Sequence, residues 1–206
     1  MRLLDLFCGR WGWSRAFAAR GWECFGIDLT RPPENPENCA FRQWDILLLT
    51  TLRDYHADFI VASSPCEQFS VHGMKHFHPN PPYPELGIKL FNHTRELCEA
   101  AGVPYVMENV KQAEQFVGRA RTHAGSFYLW GNSVPILIPK GLVKGFGDQS
   151  AEHYRKLGVN GSTRPAKMAT IPPELANCVA DYAERILEQR QAMGLRGGGD
   201  EREGEN

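Results

Sequence analysis

Residues 2–28 read RLLDLFCGRWGWSRAFAARGWECFGID, and this stretch decides the fold. Arg2 to Phe7 is a short apolar run that ends in Cys8-Gly9. Ala16, Phe17 and Arg20 then fall in a helix-like stretch that stops at Gly21, and Glu23 to Ile27 is a second apolar run ending at Asp28. Strand, turn, helix and strand in that order is the unit from which parallel sheets are wound, because parallel neighbours need a long crossover and a helix supplies it.

The same pattern continues outward. A third candidate strand runs from Ala40 to Trp44 and ends at Asp45, and a fourth, Phe59 to Ala62, stops at SSPC. Leu86, Leu90, Leu97 and Ala101 recur at helical spacing, and Pro104 to Met107 forms a fifth apolar run ending at Glu108. Strands that finish in an acid suit a sheet whose ligand lies along its carboxyl edge. The alternation predicts an α/β fold with a doubly wound, mostly parallel sheet of the Rossmann-like type. After residue 118 come two short β-like runs and a Gly-rich stretch. Pro172 and Pro173 then open a last helix with Leu175, Val179, Tyr182 and Ile186 on one face, and Gly194 ends it.

A length of 206 residues suits one domain with one active site. With 42% hydrophobic and 23% charged residues a real core is available, which excludes a mostly disordered chain. The net charge of −1 provides no global field for nucleic acid, so such binding needs a local patch. One exists: Lys140, Lys144, Arg155, Lys156, Arg164 and Lys167 face only Asp148 and Glu152. No window approaches a membrane span, and the start lacks the apolar core of a signal peptide, so no membrane association and a cytoplasmic location are expected. The six cysteines include no CxxC pair, which fits a reducing compartment. The tail, 194–206, is expected to be disordered.

Three features carry chemistry. The turn DLFCGRWGWS supplies Gly9 at the strand end and Gly12 at the helix start, letting backbone approach a nucleotide-like ligand. Asp28 follows Asp5 at about the 20-residue offset at which a carboxylate grips ribose hydroxyls in such folds. Cys66, stiffened by Pro65, stands beyond the fourth strand where a nucleophile belongs, although a buried inert cysteine is the commoner reading of that residue taken alone. Glu108 and Asn109 end the fifth strand on the same edge, so Cys66 and Glu108 are expected to converge. A thiolate adds to carbon 6 of a pyrimidine only if the ring is activated, and a carboxyl group at ring nitrogen 3 and the exocyclic amine does that. His72, His76 and His78 lie beside Pro79, Pro81 and Pro82; with no regular helix to space them and no fourth ligand, no metal is expected.

Taken together and in order, DLFCG, GIDL, WDI, SSPCEQFS, ENV, GRAR and the closing IPPELANCVADYAERIL resemble the motifs of DNA (cytosine-5) methyltransferases, over about residues 2–187. SSPCEQFS and ENV, with Cys66 and Glu108 separated by 42 residues, are the specific pair. The resemblance implies DNA as partner, S-adenosylmethionine (SAM) as methyl donor and a flipped base. It implies that Cys66 adds covalently to the cytosine, that Glu108 holds and activates its ring, and that Arg119 or Arg121 contacts its carbonyl oxygen and supports the loop. The cofactor-binding set implied is Asp5, Phe7, Gly9, Trp11 and Gly12 along the glycine turn, Asp28 at the ribose, Asp45 near the adenine and Pro65 at the junction with the base. One catalytic domain, 1–193, is implied, with 122–167 as a minimal recognition and DNA-contact region; the oligomeric state is not.

Three departures stand out. FxGxGG becomes FCGRWG, with Trp11 where glycine is usual, so either the loop opens differently or the indole packs onto the cofactor. The closing motif has Met168, Ala169, Thr170 and Ile171 in place of a polar stretch, with Lys167 just before it, which either contacts phosphate or points inward toward a cofactor carboxylate. About 40 residues separate GRAR from that motif, too few for a sizeable recognition domain. RNA as the substrate, or an idle SAM- or DNA-binding subunit, are the alternatives; retention of Cys66, Glu108 and both arginines argues against the second.

Overall fold

The structure is a computed structural model, and it describes residues 1–70, 84–142 and 170–194. Seven strands are present: β1 (Arg2–Leu6), β2 (Glu23–Asp28), β3 (Cys39–Gln43), β4 (Phe59–Ser63), β5 (Tyr105–Asn109), β6 (Thr122–Ala124) and β7 (Phe127–Trp130). They form one sheet in the order β3-β2-β1-β4-β5-β7-β6. The first five are parallel, and β7 runs antiparallel to both β5 and β6. The doubly wound, mostly parallel α/β fold expected from the sequence is therefore the fold observed.

Helices cover both faces. Leu3, Phe59, Val61, Val106 and Leu129 point to one side, where α1 (Ser14–Ala18) and α4 (Pro173–Ala192) bury Phe17, Leu175 and Val179 against them. Leu4, Leu6, Ile60, Ala62 and Met107 point to the other, toward α2 (Glu85–Ala101) and the short α3 (Glu114–Val117). Alternate residues of β1 serve the two layers, as the period of two in a strand requires.

Two helix faces differ in part from those expected. In α4 the buried stripe is Leu175, Ala176, Val179, Ala180 and Ala183, while Tyr182 and Ile186 are only half-buried. Three alanines let α4 approach α1 closely, and Arg20 fastens the pair by donating to Asn177 Oδ1 and Asp181 Oδ1, each at 2.6 Å. In α2 the core side is Gly87, Phe91, Thr94, Leu97 and Cys98; Leu86 is exposed at a cavity above the sheet, and Leu90 borders that cavity while packing against the core. The segment 122–167 begins with β6 and β7, which complete the sheet. Lys144, Arg155, Lys156, Arg164, Lys167, Met168 and Ala169 lie outside the described residues, as do His72, His76, His78 and 195–206.

The order of the strands reverses between β1 and β4. Chain leaving β1 turns to one face and chain leaving β4 to the other, which opens a crevice at their carboxyl ends, the place where such sheets bind ligands.

Candidate active site

A cavity of about 450 Å³ occupies that crevice. Phe7, Gly9, Gly12 and Trp13 from the turn after β1, Asp28 from β2, Asp45 and Ile46 beyond β3, Ser63 at the end of β4 and Ser64 to Glu67 after it, and Glu108 from β5 line it, with Leu86, Leu90, Thr170 and Ile171 completing the wall. Of the residues singled out from the sequence, Phe7, Gly9, Gly12, Asp28, Asp45, Pro65, Cys66 and Glu108 meet here.

The turn after β1 is under backbone strain. Phe7 and Trp11 sit at φ +63° and +65°, and Gly9 at +50°. Positive φ in a bulky residue is uncommon and costs on the order of 1–3 kcal/mol, so the turn is held by its bonds. The Phe7 and Cys8 N–H groups donate to the Ile27 carbonyl at 2.8 and 3.3 Å, and Trp11 N–H to the Cys8 carbonyl at 2.6 Å. Asp28 then closes the turn from the next strand: its Oδ2 accepts the Gly9 N–H at 3.0 Å and its Oδ1 the Thr30 N–H at 2.8 Å. A carboxylate fixed by two backbone donors stands ready oriented for a ligand hydroxyl. Asp45 is anchored in the same manner, accepting the Leu47 N–H at 2.9 Å.

Trp11, which stands where the resembled motif has glycine, takes the left-handed conformation, but its ring does not line this cavity. It is fully buried over β2, edge-on to Phe41 at 6.3 Å, and its indole N–H donates to the Glu34 carbonyl at 3.0 Å. Gly26 makes the space, since a Cβ there would lie 2.3 Å from the indole ring. Asp5 likewise acts from beneath. It is fully buried, its Oδ2 accepts the Ser14 hydroxyl at 2.6 Å, and its Oδ1 has no hydrogen-bond partner among the described residues. Burial pushes its carboxyl up to about 7, partly offset by the Ser14 hydrogen bonds and reinforced by the charge of Asp28.

Cys66 is half-buried and opens a tight turn: its carbonyl accepts the Phe69 and Ser70 N–H groups, both at 3.0 Å, and the Ser70 hydroxyl at 2.9 Å. Gln68 and Phe69 of this turn rest on α2 at Gly87, where a Cβ would lie 2.6 Å from Gln68 Cβ. Glu108 is buried at 3% exposure in the middle of the sheet, paired in register with Ser63 of β4 and Leu129 of β7. Strand pairing thus sets the carboxyl group beside the segment that carries the thiol.

Arg119 and Arg121 are exposed and do not line the cavity. Arg121 precedes β6, and its N–H donates to the Leu129 carbonyl at 2.8 Å, so it stands near the row Glu108–Leu129–Thr122 two strands from the acid. Sequence reasoning missed the supports: Trp13 Nε1 donates to Ser63 Oγ at 2.8 Å, joining the glycine turn to the end of β4, and Asn109 holds Ser64. Among the described residues no cluster of three metal-ligating side chains is present, and no helix is long and apolar enough to cross a membrane.

No protein-family model matches this chain, and no curated protein matches it. Solved structures are similar to parts of it. A DNMT2 variant from Spodoptera frugiperda aligns at 22% identity and TM-score 0.37, over 55% of this chain and 37% of that one. The 1,6-didemethyltoxoflavin-N1-methyltransferase of Burkholderia thailandensis, with 1,6-didemethyltoxoflavin and S-adenosylhomocysteine, aligns at 15% identity and TM-score 0.35, over 63% and 53%. The glycopeptide N-methyltransferase MtfA, complexed with SAM, aligns at 18% identity and TM-score 0.33, over 52% and 43%. The aligned part thus spans about a third to a half of each of these proteins.

Proposed function

We propose that this chain is a SAM-dependent methyltransferase that modifies carbon 5 of cytosine in DNA through a covalent adduct with Cys66. The observation that carries the reading is the meeting of Cys66 and Glu108 on one cavity wall with the glycine turn and Asp28. A nucleophile, a buried acid and a nucleoside-binding edge have separate structural explanations, but one 450 Å³ cavity containing all three suits a ring attacked beside a bound nucleoside cofactor.

The residues present fit SAM. Asp28 and Asp45 offer fixed carboxylates to ribose and adenine, Ile46, Leu86 and Leu90 offer apolar contact, and Phe7 to Arg10 together with Gly12 line the path to Pro65. When bound, SAM supplies an electrophilic methyl group. The protein's part is to make carbon 5 of the base nucleophilic. The Cys66 sulfur forms a bond to carbon 6 while Glu108 shares a proton with ring nitrogen 3 and holds the exocyclic amine, so that the electron pair pushed out of the 5,6 double bond is accommodated. After carbon 5 is alkylated it loses its proton, the double bond re-forms, and Cys66 departs from carbon 6. The target atom is inaccessible within a duplex, so the base is extruded first. Arg119 and Arg121, exposed beyond β5, are assigned to the base or the DNA that carries it.

Transfer of radiolabelled methyl from SAM to duplex DNA, compared with transfer to tRNA, tests the proposal. Label in DNA recovered as 5-methylcytosine supports it; label confined to tRNA, or none with either, overturns it.

A further inference from the structure

Arg10 stands in the wall shared by the large cavity and a smaller neighbour of about 220 Å³, to which Trp11, Arg15, Glu34 and Asn177 also contribute. The two guanidiniums there are not equivalent. Arg15 is neutralised by Glu34 at 2.9 Å. Arg10 is half-buried, and its guanidinium makes no hydrogen bond or ion pair with any described residue. Of the acidic and basic residues that line the large wall, Asp28, Asp45, Glu67 and Glu108 are acids, and Arg10 is the one base among the described residues. A ligand with a sugar at one end and a carboxylate at the other therefore finds a single matched place for the carboxylate. The backbone presents this group rigidly, because Gly9 before it is held by Asp28 and Trp11 after it is locked by burial.

We propose that Arg10 is a specificity-determining residue that binds the α-carboxylate of the cofactor's amino-acid end, at the junction of the two cavities. The inference rests on the cofactor reading above. The planar fork of a guanidinium matches a carboxylate with two parallel hydrogen bonds, which a lysine or an amide cannot reproduce. Arg10 thereby distinguishes a nucleoside that carries an amino-acid tail from one that does not.

The test is calorimetric binding to the full chain of S-adenosylhomocysteine, of its methyl ester, and of 5′-methylthioadenosine, the same thioether nucleoside without the tail. For the unmutated protein, esterification is expected to weaken binding about 10-fold or more, the loss typical of a charge-assisted hydrogen bond. Arg10→Gln is expected to weaken S-adenosylhomocysteine by the same factor while leaving 5′-methylthioadenosine within about twofold, and Arg10→Lys to restore only part of the loss. Equal affinity for acid and ester, or an Arg10→Gln loss shared equally by both thioethers, overturns the role of Arg10 and leaves the cofactor reading intact. Failure of the unmutated protein to bind any of the three overturns both.

Discussion

Asn109 holds Ser64 twice: its side-chain amide donates to the Ser64 carbonyl oxygen and to the Ser64 hydroxyl, each at 3.0 Å. Both residues are buried, and Asn109 Oδ1 is engaged in turn by the Val110 N–H at 2.8 Å. Asn109 follows Glu108 and Ser64 stands two residues before Cys66, so this clamp fixes the acid relative to the proposed nucleophile. Asn109→Ala leaves the Ser64 carbonyl and hydroxyl unpaired, at a cost of about 2–3 kcal/mol. Denaturant unfolding is expected to show that loss, and single-turnover transfer to fall further than S-adenosylhomocysteine affinity, because alignment is lost while the cofactor end of the cavity remains.

Glu108→Gln keeps the shape of the buried side chain but offers an amide where the ring needs a shared proton. Cofactor affinity is expected to be unchanged within about twofold, and the single-turnover rate to fall by roughly 10²–10⁴, the range of general acid–base catalysis. An unchanged rate removes Glu108 from the chemistry.

Gly87 is where α2 meets the turn that presents Cys66. A Cβ there lies 2.6 Å from Gln68 Cβ and 3.1 Å from Phe69 Cζ, so Gly87→Ala must displace the turn or the helix. Overpacking of this kind costs about 1–3 kcal/mol. The expected signature is slower adduct formation by Cys66 with S-adenosylhomocysteine binding retained, read by trapping and calorimetry on the same preparation.

Asp5 makes a prediction about pH. Burial raises its carboxyl to about 7 in the folded protein, from 3.8, so the folded state binds the proton more tightly than the unfolded chain. Its contribution to stability is present in full below about pH 4 and is lost as the pH rises through about 7, an effect on the order of 4 kcal/mol at 1.36 kcal/mol per pH unit. Asp5→Asn removes this dependence. The stability of the variant relative to the parent is expected to rise between pH 4 and 7 and to level off above about 8, measured by denaturant midpoints across that range.

The strands and their acids were legible because each apolar run is short, bounded and ended by Asp28, by SSPC or by Glu108. The helix faces were less so. Leu86 fits a core stripe by spacing, yet it is exposed at the cavity, and Leu90 reaches both cavity and core, since Phe91 and Gly87 take the places against the sheet and the Cys66 turn. The departure at Trp11 was visible as a missing glycine, but where the indole went depended on the room left by Gly26 on a neighbouring strand. The clamps Asn109–Ser64 and Trp13–Ser63 join residues about 45 and 50 positions apart; only the β1–β4–β5 register brings them together, and no local window carries that register.

The central claim is that Cys66 is the nucleophile in a reaction at cytosine, and trapping tests it most directly. The full chain is incubated with SAM and duplex DNA containing 5-fluorocytosine, whose fluorine at carbon 5 blocks the elimination that frees the enzyme, and the products are separated under denaturing conditions. The account predicts a protein–DNA adduct that survives denaturation, requires SAM, and maps by peptide mass spectrometry to Cys66. Formation of the same adduct by Cys66→Ala, or its attachment at another residue, would contradict it.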